Sequence, residues 1–423
     1  MRFIGDFHIH SKYSRATSRQ MDLEDLDEFA KIKGIKVLGT GDFTHPQWFA
    51  NLKEKLEPAE PGLYKLRNST SGVRFILTVE VSCIYSKDNK VRKIHHLIFA
   101  PDFKTAEKIN TQLSWTGNLR ADGRPTFGMD SKELLKIVLD SSPDCLLIPA
   151  HCMTPWFGIF GSKSGFDSLE ECFEELTPQV FAIETGLSAD PKMLWRISDL
   201  DNITLISNSD AHSAPKTGRE ANIFEGEELN YKNMIEAIKK GKRIENDAQL
   251  KLTSTIEFFP EEGKYHFDGH RACGIRLSPE ERKKYGGICP NCGKPLTIGV
   301  LSRVDSLADR PEGKTPQNAL PYISLVPLNE IIGKAFLREP YTKEVMEEYQ
   351  KLISVFGSEF EVLMETPIEE IAKISPRVAE GIKKAREGKI NVIPGFDGEF
   401  GKVQIFEEVS EEESPKPDQK TLF

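Results

Sequence analysis

The sequence predicts an α/β protein with a βα-repeat unit over residues 1–250, a small zinc-binding module over 255–315, a helical C-terminal region over 316–405 and a polar tail over 406–423. Three observations predict it. Short apolar, β-rich runs alternate with amphipathic stretches through the first part, the pattern of βα units around a parallel sheet or barrel. Near residue 255 the texture changes to Gly, Pro, Arg and Lys with a Cys and His cluster. From about Asn318 to Lys389 apolar residues recur at helical spacing, whereas EEVSEEESPKPDQKTLF, from Glu407 onward, is too charged to bury a core and is expected to be disordered.

The candidate strands, in order, are Phe3 to Phe7, Lys36 to Thr40, Arg74 to Val79, His95 to Ala100, Leu146 to Pro149, Val180 to Ile183 and Thr204 to Ser207. Between them, Leu23 to Lys33, Ser131 to Leu139, Leu169 to Leu176 and Tyr231 to Lys240 carry apolar residues three and four apart, as helices packed on a sheet do. With 423 residues, 39% hydrophobic and 29% charged, the chain can form two or three domains. No apolar run approaches the roughly 20 residues that span a bilayer, and MRFIGDFHIH lacks the apolar core of a secretory signal, so a cytoplasmic protein is expected. Four of the seven cysteines (Cys83, Cys145, Cys152, Cys172) are scattered singly, as buried small hydrophobes are. A net charge of -9 argues against nucleic acid on average, but regions of one chain can face different partners.

Chemistry concentrates at the predicted strand ends. DFHIH places Asp6, His8 and His10 at the end of the first predicted strand, and alternation along an extended chain points both imidazoles to one side. Further acids and imidazoles come later in the chain: Asp42 and His45 in GTGDFTH, Glu80 in LTVEVS, His95 and His96 in KIHHLIFA, His151 in IPAHCMTP, and Asp210 with His212 in SNSDAHS. Seven of the nine histidines occupy these places. Carboxyl ends of strands in βα architectures converge on one face, so the spread in sequence is compatible with one site. Imidazole and carboxylate donors together suit zinc or manganese, and paired ions of that kind hydrolyse phosphate esters.

The ordered set D-F-H-I-H, T-V-E-V, I-P-A-H and S-N-S-D-A-H resembles the polymerase and histidinol phosphatase (PHP) family over about 240 residues. The resemblance implies a distorted (β/α)7 barrel holding two or three divalent ions (Zn, Mn or Mg). It implies that His8, His10, Glu80 and Asp210 hold one ion, that Glu80 bridges to a second held by His96 and His151, and that His212 serves a third. Glu80, Asp210 and His212 are the residues on which catalysis would depend. The third site departs from the family pattern, because SKYSRATSR comes directly after H-x-H and the usual Asp-His pair reads Asp42-Phe43; Asp42 or His45 would substitute.

In the middle module, C-P-N-C-G-K lets Cys289 and Cys292 grip one structural zinc, with Gly293 closing the turn, and His270 with Cys273 has the same spacing upstream. His266 competes with His270 for the fourth position. The module and the segment C-terminal to it are basic, including Arg303 and Arg310, and IEEIAKISPRVAEGIKKAREGKI reads as two short helices ending in Lys383 and Lys384, a weak helix-hairpin-helix. These four cations are the expected DNA contacts.

G-K-Y-H-F-D-G-H-R, C-P-N-C-G-K-P-L-T-I-G-V-L, L-A-D-R-P and I-P-G-F-D-G together resemble an archaeal-type family of DNA repair endonucleases within the PHP superfamily. That likeness implies nicking of damaged DNA on the 5′ side of deaminated bases (uracil, hypoxanthine, xanthine) and of abasic sites. A small-molecule phosphatase would need only the first 250 residues, and a polymerase-associated proofreading nuclease would need no damage-reading modules. Trp156, Phe157 and Phe160, in TPWFGIFGSKSGF after His151, are candidates for a pocket that stacks an extruded base. The ending DQKTLF resembles a short sliding-clamp motif, with Gln419, Leu422 and Phe423 in its key places.

Overall fold

The computed structural model describes residues 1–244 and 247–406. Apolar strand cores line up into one mixed sheet in the order Tyr322–Ser324, Leu250–Glu257, Ala221–Gly226, Arg2–Asp6, Ile35–Gly39, Arg74–Lys87, Tyr64–Leu66 and Leu56–Pro58. Lys90–Ala100 pairs with Arg74–Lys87 off this path and carries Leu146–Pro149 beyond it, while Ala182–Glu184 and Thr204–Ile206 form a separate parallel pair.

Seven expected strands are present, and Leu23–Lys33 and Tyr231–Lys240 are helices with the expected bounds. Asp22 caps the first by accepting from the Asp25 amide, and Gly34, at φ +89°, ends it.

The sheet is not purely parallel, as the βα pattern predicted. Arg2–Asp6 runs antiparallel to Ala221–Gly226, and Arg74–Lys87 forms a long antiparallel hairpin with Lys90–Ala100. Asp88 and Asn89 both take positive φ (53° and 58°), the backbone of a two-residue hairpin turn. Reading the strands as ending at Val79 and starting at His95 missed this, because the polar residues on either side of the turn are exposed strand, not loop.

One apolar core runs from Ile4 through the sheet and helices to Ile405, so the helical region is packed onto the sheet. At that junction Lys33 and Glu359 form a buried ion pair at 2.6 Å, and Glu359 also accepts from the Leu328 amide and the Tyr349 hydroxyl. Pairing plus those hydrogen bonds is what makes a buried charge tolerable. Cys83, Cys145, Cys152 and Cys172 are buried. No helix among the described residues is long and apolar enough to cross a membrane.

Candidate active site

His8, His10, Glu80 and Asp210 converge, each offering one ligand atom. His10 Nε2 lies 3.3 Å from Glu80 Oε2 and 3.1 Å from Asp210 Oδ1; His8 Nε2 lies 3.6 Å from each of the same two oxygens. A tetrahedral cation with bonds of about 2.0–2.1 Å would space its donors by about 3.3 Å, so these separations suit one. Two further features fit a cation. His8 Nε2 is buried with no hydrogen-bond partner. The Nδ1 atoms are held from behind, His8 by Glu184 at 3.0 Å and His10 by Asp42 at 3.2 Å, which fixes the tautomer that leaves Nε2 free. Burial opposes charge on His8, but Glu184, Glu80 and Asp210 outweigh it and hold the ring well above the usual imidazole range. The carboxylates thus demand positive charge here.

Glu80 turns its other oxygen to a second set. Its Oε1 lies 2.6 Å from His95 Nδ1 and 2.9 Å from His151 Nε2, and the two imidazole nitrogens are 3.2 Å apart. The second imidazole is therefore His95, not His96 as the family pattern implied. Neighbouring strand residues point to opposite faces. His96 faces the core, 2.8 Å from Ser131 Oγ and edge-on to Phe173, and burial lowers its pKa to about 3. Nor does Glu80 end its strand; it sits within the hairpin, opposite Leu97.

Neither donor set includes Asp42, His45 or His212. Asp42 is buried and committed to His10 Nδ1, the Ser11 amide and the hydroxyls of Ser11 and Ser14. His45 stacks on Tyr13, 4.4 Å between centroids. The His212 ring lies 4.4 Å from that of His10, with Nδ1 2.9 Å from the Asp210 carbonyl. Asp6 accepts from the amides of Ser209 and Gly218 and so ties the first strand to the loop that carries Asp210.

The backbone is strained where the site needs it. Asp42, His151, Phe157 and Asp210 all take positive φ (50°, 31°, 69° and 47°), a conformation that costs a non-glycine residue of order 1–3 kcal/mol. Gly186 makes room for His151: a Cβ there would come within 2.5 Å of the histidine Cβ.

A cavity of about 450 Å³ opens over the second donor set, lined by His95, His151, Asp210, Arg15, Arg124, Trp156 and Phe157 among others. Phe157 packs on His95 at 4.3 Å, and Trp156, 40% exposed, meets Tyr265 edge to face. Phe160 does not reach the cavity; it is buried in the apolar core.

In the middle module His270, Cys273, Cys289 and Cys292 come together, and His266 does not join them. The Cys289 amide bonds the Lys294 carbonyl, the Gly293 amide bonds the Cys289 carbonyl, and Gly293 takes φ +70°. His266 is buried against Phe267.

Three of the four expected DNA cations are occupied within the protein. Arg303 donates to the carbonyls of Phe160 and Phe166 and pairs with Asp167, holding the loop after His151. Arg310 makes a two-pronged pair with Asp201. Lys384 pairs with Glu380 at 2.9 Å, and Lys383 is exposed on the same helix, Pro376–Arg386. The clamp-like residues Gln419, Leu422 and Phe423 lie outside the described residues.

Sequence reasoning missed two residues. Glu184 ends its strand in FAIETG, the placement that drew attention to the other acids, but no histidine stands beside it. Besides His8 it accepts from the His151 amide and Asn208 Nδ2. Arg124 comes from the loop GRPT, which carries no comparable signal.

Residues 327–389 match the family model of the MJ0043 C-terminal domain. The chain is 38% identical over 264 residues to MJ0043 of Methanocaldococcus jannaschii, a match that takes in 60% of this chain and spans about a third (31%) of that longer protein. Among solved structures, the lesion-specific endonuclease PfuEndoQ from Pyrococcus furiosus superposes with a TM-score of 0.85 at 31% identity, over 96% of both chains. An endonuclease Q complex with a 27-mer duplex substrate, an abasic lesion at its active site, superposes at 0.84 with 31% identity, over 96% of this chain and 98% of the other.

Proposed function

The chain belongs to the endonuclease Q family, and from that premise we propose that it is a metal-dependent DNA repair endonuclease, cutting the phosphodiester 5′ to deaminated bases (uracil, hypoxanthine, xanthine) and abasic sites. The observation that carries the chemistry is the sharing of Glu80 between two donor sets, one oxygen to each. We read the face on which these sets meet as one end of a distorted (β/α)7 barrel with the smaller modules C-terminal to it.

Divalent ions (Zn, Mn or Mg) held by His8, His10, Glu80 and Asp210 and by Glu80, His95 and His151 would supply Lewis-acid polarisation of phosphoryl oxygens and a more acidic water. The protein's part is orientation. Glu184 and Asp42 fix the imidazole tautomers, and the strained loops carrying His151 and Asp210 are held by hydrogen bonds on both sides. We assign His212, whose ring lies against that of His10, to a third ion. The His270, Cys273, Cys289, Cys292 set fits one structural zinc without a position for water. Trp156 and Phe157 are the aromatic residues available to an extruded base, and Lys383 remains available to a phosphate.

The test is cleavage of duplexes containing uracil, hypoxanthine, xanthine or an abasic site beside a simple phosphomonoester. Lesion-dependent 5′ nicking that disappears in Glu80→Gln and Asp210→Asn, and on chelation, supports the reading. Turnover of the phosphomonoester alone would favour a small-molecule phosphatase instead. We also propose that Gln419, Leu422 and Phe423 contact a sliding clamp; deleting them should abolish clamp binding and leave nicking of free DNA unchanged, and clamp binding by the shortened chain would refute the assignment.

A further inference from the structure

Arg124 places a guanidinium on the wall of the cavity beside the shared carboxylate. Its Nη1 donates to Glu80 Oε2 at 3.1 Å, its only side-chain hydrogen bond among the described residues, and its side chain is one-quarter exposed. A guanidinium has five N–H donors in a fixed plane. Most of this one's donors therefore have no protein partner, although the residue lies against a buried acid cluster and lines the same space as His95, His151 and Asp210.

The backbone that presents it is held on several sides. The Gly123 amide donates to the Tyr13 carbonyl, the Arg124 amide to Asp122 Oδ1, and the Ser82 amide to the Pro125 carbonyl. Thr126 then pairs in parallel with Ser82 on the Glu80 strand, two residues from Glu80 itself. A Cβ at residue 123 would fall 2.2 Å from Asp42 Oδ2, so glycine is what lets the loop lie against Asp42. The loop and the donor sets therefore share one rigid frame. The cavity's other lining cation, Arg15, is a different case: its side chain is 81% exposed and paired with Asp122.

We propose that Arg124 is a catalytic residue that binds a non-bridging oxygen of the phosphodiester being cut. This rests on the reading of the site as a phosphodiesterase. Planar, bidentate guanidinium donors match phosphate geometry, and a donor fixed in advance where negative charge grows is worth most in a partly enclosed site. The competing role, neutralising Glu80 only, would make Arg124 a device for holding metal ligands in place.

The experiment uses the metal-loaded full chain, Arg124→Ala and Arg124→Lys, with bis(4-nitrophenyl) phosphate and an abasic duplex as substrates. The Ala variant should lose roughly 100-fold or more in kcat/KM on both, the scale of removing one preorganised donor to a developing charge. The Lys variant should fall between. Metal per chain, measured by elemental analysis, and the thermal unfolding midpoint should match wild type, and added guanidinium ion should restore part of the Ala variant's rate while leaving wild type unchanged. Wild-type kcat/KM in the Ala variant would overturn the proposal. So would metal lost in step with rate and no rescue by guanidinium, which would assign Arg124 to holding Glu80. If wild type cuts the model diester but no lesion duplex, the DNA reading fails and the arginine is still tested; if it cuts neither, both fail.

Discussion

Trp156 meets Tyr265 edge to face, with ring centroids 5.6 Å apart, and so joins the loop after His151 to the segment that leads into the Cys and His cluster. Arg303 holds the same loop from the other direction through the carbonyls of Phe160 and Phe166. The aromatic wall of the cavity is thus held by Tyr265 and Arg303, both C-terminal to residue 255. Trp156→Ala should weaken binding to a uracil-containing duplex by about 1–3 kcal/mol, the worth of one base-stacking aromatic, with a smaller effect on an abasic duplex, which has no base to stack, and little change in stability. Phe160→Ala should instead destabilise the fold by about 3–5 kcal/mol, as a buried Phe does. Titration binding and urea unfolding separate the two, and unchanged lesion preference in Trp156→Ala would remove the stacking role.

His95 and His96 are adjacent in sequence and opposite in consequence. His95→Ala should lose about one cation per chain and at least roughly 100-fold in cleavage, because Glu80 and His151 are left as two donors. His96→Ala should keep its metal and lose about 2–3 kcal/mol of stability, since its ring fills space between Ser131 and Phe173. Elemental analysis of both variants decides; metal lost from His96→Ala and retained by His95→Ala would reverse the assignment.

Cys289 is the buried member of the four-residue cluster. Cys289→Ser should release one zinc and open residues 266–300 to limited proteolysis, because a module this small has only Leu277, Cys289 and Leu296 as its own buried core. Residues 1–240 should remain resistant. Equal protection of the module in the variant would mean that packing alone holds it.

Glu257 is buried beside Glu220, and burial raises its pKa from 4.5 to about 8 despite hydrogen bonds from Thr255 and Thr185. For an acid whose folded value stands above its unfolded one, the folded state binds the extra proton. The stability it contributes is full below about 4.5 and is lost as pH rises towards 8. Glu257→Gln, neutral at every pH, should flatten that loss by on the order of 1–3 kcal/mol between pH 5 and pH 8. Urea midpoints at the two pH values measure it, and parallel slopes in wild type and variant would mean that Glu257 ionises normally.

Much of this was legible in the residues themselves. The convergence of His8, His10, Glu80, His151 and Asp210 was legible because each stands in a β-rich run or just beyond it, where a period of two fixes its direction, and that of His270, Cys273, Cys289 and Cys292 because their spacing is set by a turn. His95 was passed over for His96 because facing depends on where a strand begins and on which partner covers it. Arg303 and Arg310 looked like free surface charge, yet each has its partner more than 100 residues away in sequence, in Asp167 and Asp201. Glu184 and Arg124 lacked a local pattern, since their roles come from contacts across the fold.

The two-residue turn at Asp88 and Asn89 sets Lys87 opposite Lys90, and from there every rung of the hairpin up to Leu77 and Ala100. Ser82 consequently stands across from His95, some 17 Å along the strand from the turn at about 3.4 Å per residue. If the turn kept its two residues and one residue were added between it and His95, the pairing would slip by one, bringing His96 round to the face that His95 now occupies and sending His95 into the core. Which of the two imidazoles faces Glu80 is therefore set at the far tip of the hairpin, by the register of a turn that touches none of the candidate ligands.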